Sequence, residues 1–339
     1  MVQVASIAAG LLLLAASACA AEAAERAPLY GFSNVTGPIS IDPSTGKGTP
    51  IGASPPGELQ AQQLSCIDAA RNRLYMSGYN EVTRKVNVLG FDLTTGEVAV
   101  TIELPFALSG FVGVGTYIDV DTTTGDLYAT GPEWRVGHYG ERHVVLRIDA
   151  ATQAQTPVGV VPKGLDVLGG DSTFDSVNRV LWCFFGAPLK DRTGGIDLFA
   201  VHVDDGEVEV LRPSSPYAST LSTLNYDAST QRVYGLGLRA GNATEPAYVR
   251  MLLFIDANDA ARTVQLVGEQ ADYIGGDSSI ATIDETARLH LSYMQPQGET
   301  DPFNDPFYFV AIDADTGEVV DAQDAGTYFS LPWSLEAYN

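Results

Sequence analysis

The stretch Val88-Leu-Gly-Phe-Asp-Leu-Thr-Thr-Gly-Glu-Val98 runs through alternating apolar residues to an aspartate and then turns on Thr-Gly. The alternation has the period of two that a half-buried strand requires. The Asp-x-x-x-Gly that follows is turn text: a carboxylate takes local backbone N–H groups while glycine supplies positive φ. The phrase returns along the chain as Ile41-Asp42, Phe91-Asp92, Ile148-Asp149, Val203-Asp204, Ile255-Asp256 and Ile312-Asp313. By subtraction these aspartates are 50, 57, 55, 52 and 57 residues apart.

Within each period the text is strand-like throughout. The fifth unit divides into Thr220 to Tyr226, Arg232 to Leu238, Val249 to Ile255 and Thr263 to Val267, separated by Asp-Ala-Ser-Thr and Asp-Ala-Asn-Asp turns. Second strands are marked by Leu74-Tyr75, Leu127-Tyr128, Leu181-Trp182, Val233-Tyr234 and Leu289-His290. Leu29-Tyr30 marks one more with no first strand before it. Four-stranded units repeating at this period are the signature of a β-propeller. The C-terminal stretch Tyr328 to Tyr338 reads as a lone first strand. Joined to the three N-terminal strands it would complete a blade and remove the exposed edges of an open ring. The expectation is an all-β, six-bladed propeller of four-stranded antiparallel blades, closed by one C-terminal strand.

The blade text from Leu74-Tyr-Met-Ser-Gly78 through Val88 to Val98 resembles that of the secreted β-propeller repeat proteins of the YVTN and quinoprotein-like superfamily. The likeness covers nearly the whole chain but lives in turn and core positions. It implies the fold and no particular activity, since such propellers host unrelated functions.

The first twenty residues carry no charge and include an apolar run, Val4 to Ala16, followed by Ala18-Cys19-Ala20. This reads as a secretory signal with cleavage after Ala20, leaving residues 21–339 as a single propeller domain in an extracellular or periplasmic setting. A cut before Cys19 would instead leave a lipid-bearing cysteine, although Ala16-Ser17-Ala18 lacks the customary leucine. No other segment is apolar enough to span a bilayer as a helix. Cys66 and Cys183 fall in the second and fourth repeats, which are not neighbours in a ring, so two buried thiols are expected. A net charge of −23, from 42 acidic against 19 basic residues, disfavours nucleic acid and anionic membranes as partners.

In an antiparallel meander the longer connections, from strand two to three and from blade to blade, gather on one face, where binding residues usually sit. Three features there draw attention. Gly169-Gly-Asp-Ser-Thr173 recurs as Gly275-Gly-Asp-Ser-Ser279, so Asp171 and Asp277 are candidates for a calcium-like ion or a sugar at the channel mouth. The Pro132 to His143 loop offers Trp134, Arg135, His138 and Tyr139 as a recognition surface. The loop from Gln295 to Pro306 is acidic. Asn34-Val-Thr36 and Asn242-Ala-Thr244 are sequons that a eukaryotic host would glycosylate. Asp119-x-Asp121 has its glycine in the wrong place for an EF-hand, and most recurrent aspartates read as turn-formers.

Linear motifs for serine hydrolases, zinc peptidases and dinucleotide binding are missing, although a propeller assembles its sites from several blades. The first expectation is a secreted scaffold that binds a protein, carbohydrate or small-molecule ligand through the long-loop face. A metal-dependent hydrolase or lactonase with calcium at the channel mouth is the alternative. A structural component of an extracellular matrix or surface layer is a third reading.

Overall fold

The computed structural model describes residues 26–33, 35–52, 59–80, 82–107, 116–132, 143–161, 170–185, 198–211, 220–240, 248–259, 263–270, 272–274, 280–296, 305–327, 331 and 334–339. Their strands form six antiparallel sheets arranged as blades around a central channel. From inside outward, the fifth blade is Thr220–Asp227, Arg232–Ala240, Tyr248–Asp256 and Val264–Gln270. The innermost strands of blades two, three and four are Leu59–Asp68, Tyr117–Val120 and Gly170–Asp175. In blade six the innermost position is shared by Tyr273–Ile274 and Ala281–Asp284, which both pair with Leu289–Pro296.

Blade one closes the ring as the sequence suggests. Glu336–Ala337 pairs antiparallel with Leu29 and Tyr30 and is the innermost strand beside Leu29–Ser33, Gly37–Ile41 and Gly48–Pro50. It is fixed to both neighbouring blades. Ala337 N donates to Thr282 Oγ1 of blade six at 3.1 Å, and Tyr338 Oη donates to the Ala69 carbonyl of blade two at 2.8 Å. Every blade then has two neighbours and no inner edge is left open.

Each blade buries its two faces against the adjacent blades, so the core is six wedges rather than one centre. Between blades three and four, Tyr128 stacks on Phe174 with ring centroids 4.7 Å apart. Fully buried side chains such as Trp182, Tyr234 and Phe309 each contribute about 1.5–3 kcal/mol by leaving water. Cys66 and Cys183 are free and buried.

The turn between strands three and four follows its sequence phrase. Asp92 Oδ1 accepts from the N–H groups of Thr94 at 2.8 Å and Thr95 at 3.0 Å, and Gly96 closes the turn at φ 71°. Asp42, Asp149 and Asp313 hold their turns in the same way. The fourth copy departs from the pattern. There the residue whose N–H and carbonyl close the turn is His202, and Asp204, two residues later, pairs with Arg179 at 2.8 Å.

The other short connection, between strands one and two, is built on a second set of aspartates. Asp68, Asp121, Asp175, Asp227 and Asp284 are completely buried and accept from backbone N–H groups two or three residues on. Four residues after each comes a residue with positive φ: Asn72, Gly125, Arg179, Gln231 and Arg288. Both short turns lie at one rim. The ends of strands two and three, and of four and the next one, meet at the other.

Candidate functional site

The six innermost strands enclose a cavity of about 330 Å³ on the propeller axis. Its walls include Cys66, Asp119, Asp171, Leu224, Thr282 and Glu336, at least one from every blade. Ala69, Thr122, Ser176, Ala228, Glu285 and Asn339, which follow the innermost strands, also line it. The cavity therefore reaches the rim formed by the short turns.

A shared local logic places the polar side chains here. Innermost strands do not pair with one another, so their inward N–H groups need partners from the next blade. Asp171 Oδ2 accepts from Leu224 N of blade five at 2.7 Å, and its Oδ1 takes Ser172 N at 2.8 Å. Thr173 Oγ1 accepts from Tyr226 N at 2.9 Å. Asp119 accepts from Val120 N at 2.7 Å and from the backbone of Phe174 in blade four. Glu336 Oε1 of blade one accepts from Ser65 Oγ of blade two at 2.7 Å.

Three carboxyl groups thus share the channel between the innermost strands, enclosed by protein and facing its void, and a fourth, Glu285, lines it at the rim. Burial pushes Asp119 and Asp171 up to about 7, against the pull of their backbone hydrogen bonds, and Asp119 adds repulsion at Asp171. Burial lifts Glu336 well above the usual carboxylate range. The Ser65 hydrogen bond opposes that shift, while Asp119 and Asp171 add to it. Cys66 is raised by burial and then by Asp119 and Glu336, so it is a thiol rather than a thiolate. Among the described residues that line the cavity there is no lysine, arginine or histidine. Such a set can hold or release protons near neutrality and attract a cation.

Asp171 thus lies on the innermost strand of blade four, in the channel wall. Asp277, Trp134, Arg135, His138, Tyr139, Asn34 and Asn242 lie outside the described residues, so the Asp171–Asp277 pairing and the Pro132 to His143 surface are expectations only. Among the described residues no three His, Cys, Asp or Glu side chains converge closely enough to hold a metal ion. Sequence reading did not single out Asp119 or Glu336 as site residues. The available signal was their place one residue before the end of an innermost strand, which only the ring geometry makes meaningful. No helix among the described residues is long and apolar enough to cross a membrane.

No protein-family model matches the sequence, and no curated protein is similar to it in sequence. Among solved structures, the chain is similar to hydrazine synthase of Kuenenia stuttgartiensis. The identity is 13% and the TM-score 0.50, over 81% of this chain and 70% of that one. It is similar to regucalcin, a calcium-binding protein of Agrobacterium tumefaciens, at 14% identity and TM-score 0.49, over 87% and 79% of the two chains. The β-propeller domain of the Trilobed protease of Pyrococcus furiosus gives 13% identity and TM-score 0.44, over 78% and 81%. At these identities the likeness shows a β-propeller fold and nothing finer.

Proposed function

We infer that this protein is a secreted binding scaffold rather than a hydrolase, and that a small-molecule ligand enters its central channel from the short-turn rim. The observation that supports this is the cavity of about 330 Å³ walled by all six blades, large enough for a small ligand and lined by fixed polar groups. A protein or carbohydrate partner would meet the opposite rim, from which the longer connections leave the blades.

The test is a thermal-shift screen of small amines, sugars and organic acids against the mature protein, repeated with Ser176→Trp and Thr122→Trp. Both residues sit on turns at the channel mouth, so a bulky ring there blocks entry without entering the core. A ligand at 100 times its dissociation constant adds about 2.7 kcal/mol of stability, well within reach of the method. The expected result is a stabilising ligand whose effect both variants abolish. Stabilisation unaffected by the blocked mouth would overturn the channel reading. A calcium-specific shift, not matched by magnesium and lost in Asp171→Ala with Asp277→Ala, would favour the hydrolase instead.

A further inference from the structure

The carboxyl groups of the channel are more than the fold requires. Thr173 and Thr282 satisfy the next blade's N–H groups with neutral hydroxyls, at 2.9 and 3.1 Å. Asp119 does the same task from the position that Thr173 and Thr282 hold in their own strands, and does it with an ionisable group. The inner strands contact in chain order around the ring, so blade one lies opposite blade four. Glu336 therefore stands on one wall, with Asp171 facing it and Asp119 on the adjoining blade.

Among the described residues no basic side chain lines the cavity to neutralise them. A separate observation points the same way. Ser334, two residues before Glu336 and in the same wall, is 3% exposed, and its Oγ has no hydrogen-bond partner among the described residues. A buried hydroxyl without a partner is left with its desolvation cost unrepaid, which a ligand donor would relieve. The space itself is too large for a bare ion and sits at the small end of organic-ligand pockets, about 300–1,000 Å³.

Resting on the channel reading above, we propose that the channel binds a small organic diamine, one ammonium group against Asp119 and Asp171 and the other against Glu336, with Ser334 Oγ as an acceptor. Ammonium–carboxylate hydrogen bonds in a water-poor space are the strong kind, and two charges on opposite walls select for a ligand with two charged ends. Binding must also release protons. Asp119 and Asp171 are pushed up to about 7 and Glu336 is raised well above the usual carboxylate range, and a cation beside them favours the ionised form. Cys66, Cys183 and Tyr117, which these acids also raise, stay neutral throughout.

The experiment is calorimetric titration of the mature protein with 1,4-diaminobutane at pH 7 and constant ionic strength, in two buffers of different ionisation enthalpy. Saturable binding is expected, with a buffer-dependent heat that reports released protons. The uncharged 1,4-butanediol should not bind, and Glu336→Gln should weaken the diamine about tenfold or more. The proton count uses the unaltered protein, so the proposal stays testable even where a variant folds poorly. Diol binding as tight as diamine binding would overturn the cationic class while leaving the channel reading intact. Diamine binding without proton release, equal in Glu336→Gln, would mean general attraction to a surface of charge −23 and would overturn the proposal. Failure of every ligand to respond to the blocked mouth would remove the channel reading itself.

Discussion

Asp119 and Asp121 are two residues apart at the end of one innermost strand, yet their carboxyl groups are driven in opposite directions. Burial raises both. At Asp121 the Arg179 guanidinium at 2.7 Å, the Thr124 hydroxyl at 2.9 Å and the N–H groups of Thr123 and Thr124 outweigh it, and the carboxyl falls below its usual range. Asp119 has two backbone N–H groups and, among the described residues, no cation beside it, and it rises to about 7. The first is a fully satisfied turn, repeated at Asp227 with Arg288 from the next blade. The second is a charge site left open toward the channel. Saturation by local partners, not burial, separates the turn carboxylates from the channel carboxylates here.

The largest expected effect comes from undoing the saturated partner. Arg179 joins blade four to Asp121 of blade three and also holds Asp204 of its own blade. Arg179→Ala leaves a completely buried carboxylate without its cation, and breaking a buried pair this way costs about 3–5 kcal/mol. Chemical denaturation should show that loss, and Asp121→Asn on the same background should recover much of it, since Asn keeps the acceptor without the charge. An effect below about 1 kcal/mol would place Asp121 with exposed pairs and erase the contrast with Asp119.

The turn aspartates were legible because their chemistry is local. Asp92 to Gly96 is a complete phrase, and the chain fulfils it within five residues. Blade count and closure were legible for a related reason: strand text and its one missing member, Leu29 without a predecessor and Glu336 without a successor, follow from order along the chain. Three positions escaped that reading. His202 takes the turn position that the repeat assigns to aspartate, because the turn is closed by backbone groups and tolerates the exchange. Asp119 was visible only as a poor calcium pair, and Glu336 not at all. Alternation tells which residues share a strand face, but not that the two sites come from blades separated along the chain and share a channel without a counter-charge among the described residues.

That charge site supplies the second prediction. Asp119 has a folded pKa of about 7 against roughly 3.9 in the unfolded chain, so the folded state holds the proton more tightly. Its stabilising contribution is full below the unfolded value and is lost as pH rises through 7. Asp119→Asn lacks this slope while keeping an acceptor for Phe174 N. The variant should exceed the parent in stability by roughly 2–4 kcal/mol at pH 8, with the gap shrinking by pH 5. Denaturant melts at the two values measure it. A constant gap would mean that Asp119 does not titrate between them, and the proposed proton release on cation binding would lose its source.

The smallest effect tests whether an unsatisfied base in a dry wedge behaves as the mirror of these acids. His290 pairs with Ile283 and Ile312, as Leu74 pairs with Ile67 and Phe91, so it occupies a position that the other blades fill with leucine or valine. It is completely buried, neither ring nitrogen has a hydrogen-bond partner among the described residues, and burial with the nearby Arg250 charge pulls it to about 3. A histidine held neutral in the folded state binds its proton only on unfolding. Stability is therefore whole above about 6.5 and falls as pH drops toward 3, opposite in sign to the Asp119 contribution over the same window. His290→Leu removes that acid limb and should gain roughly 2 kcal/mol more at pH 5 than at pH 8. Identical pH dependence in parent and variant would assign the limb to His143 instead, whose burial draws it down to about 4.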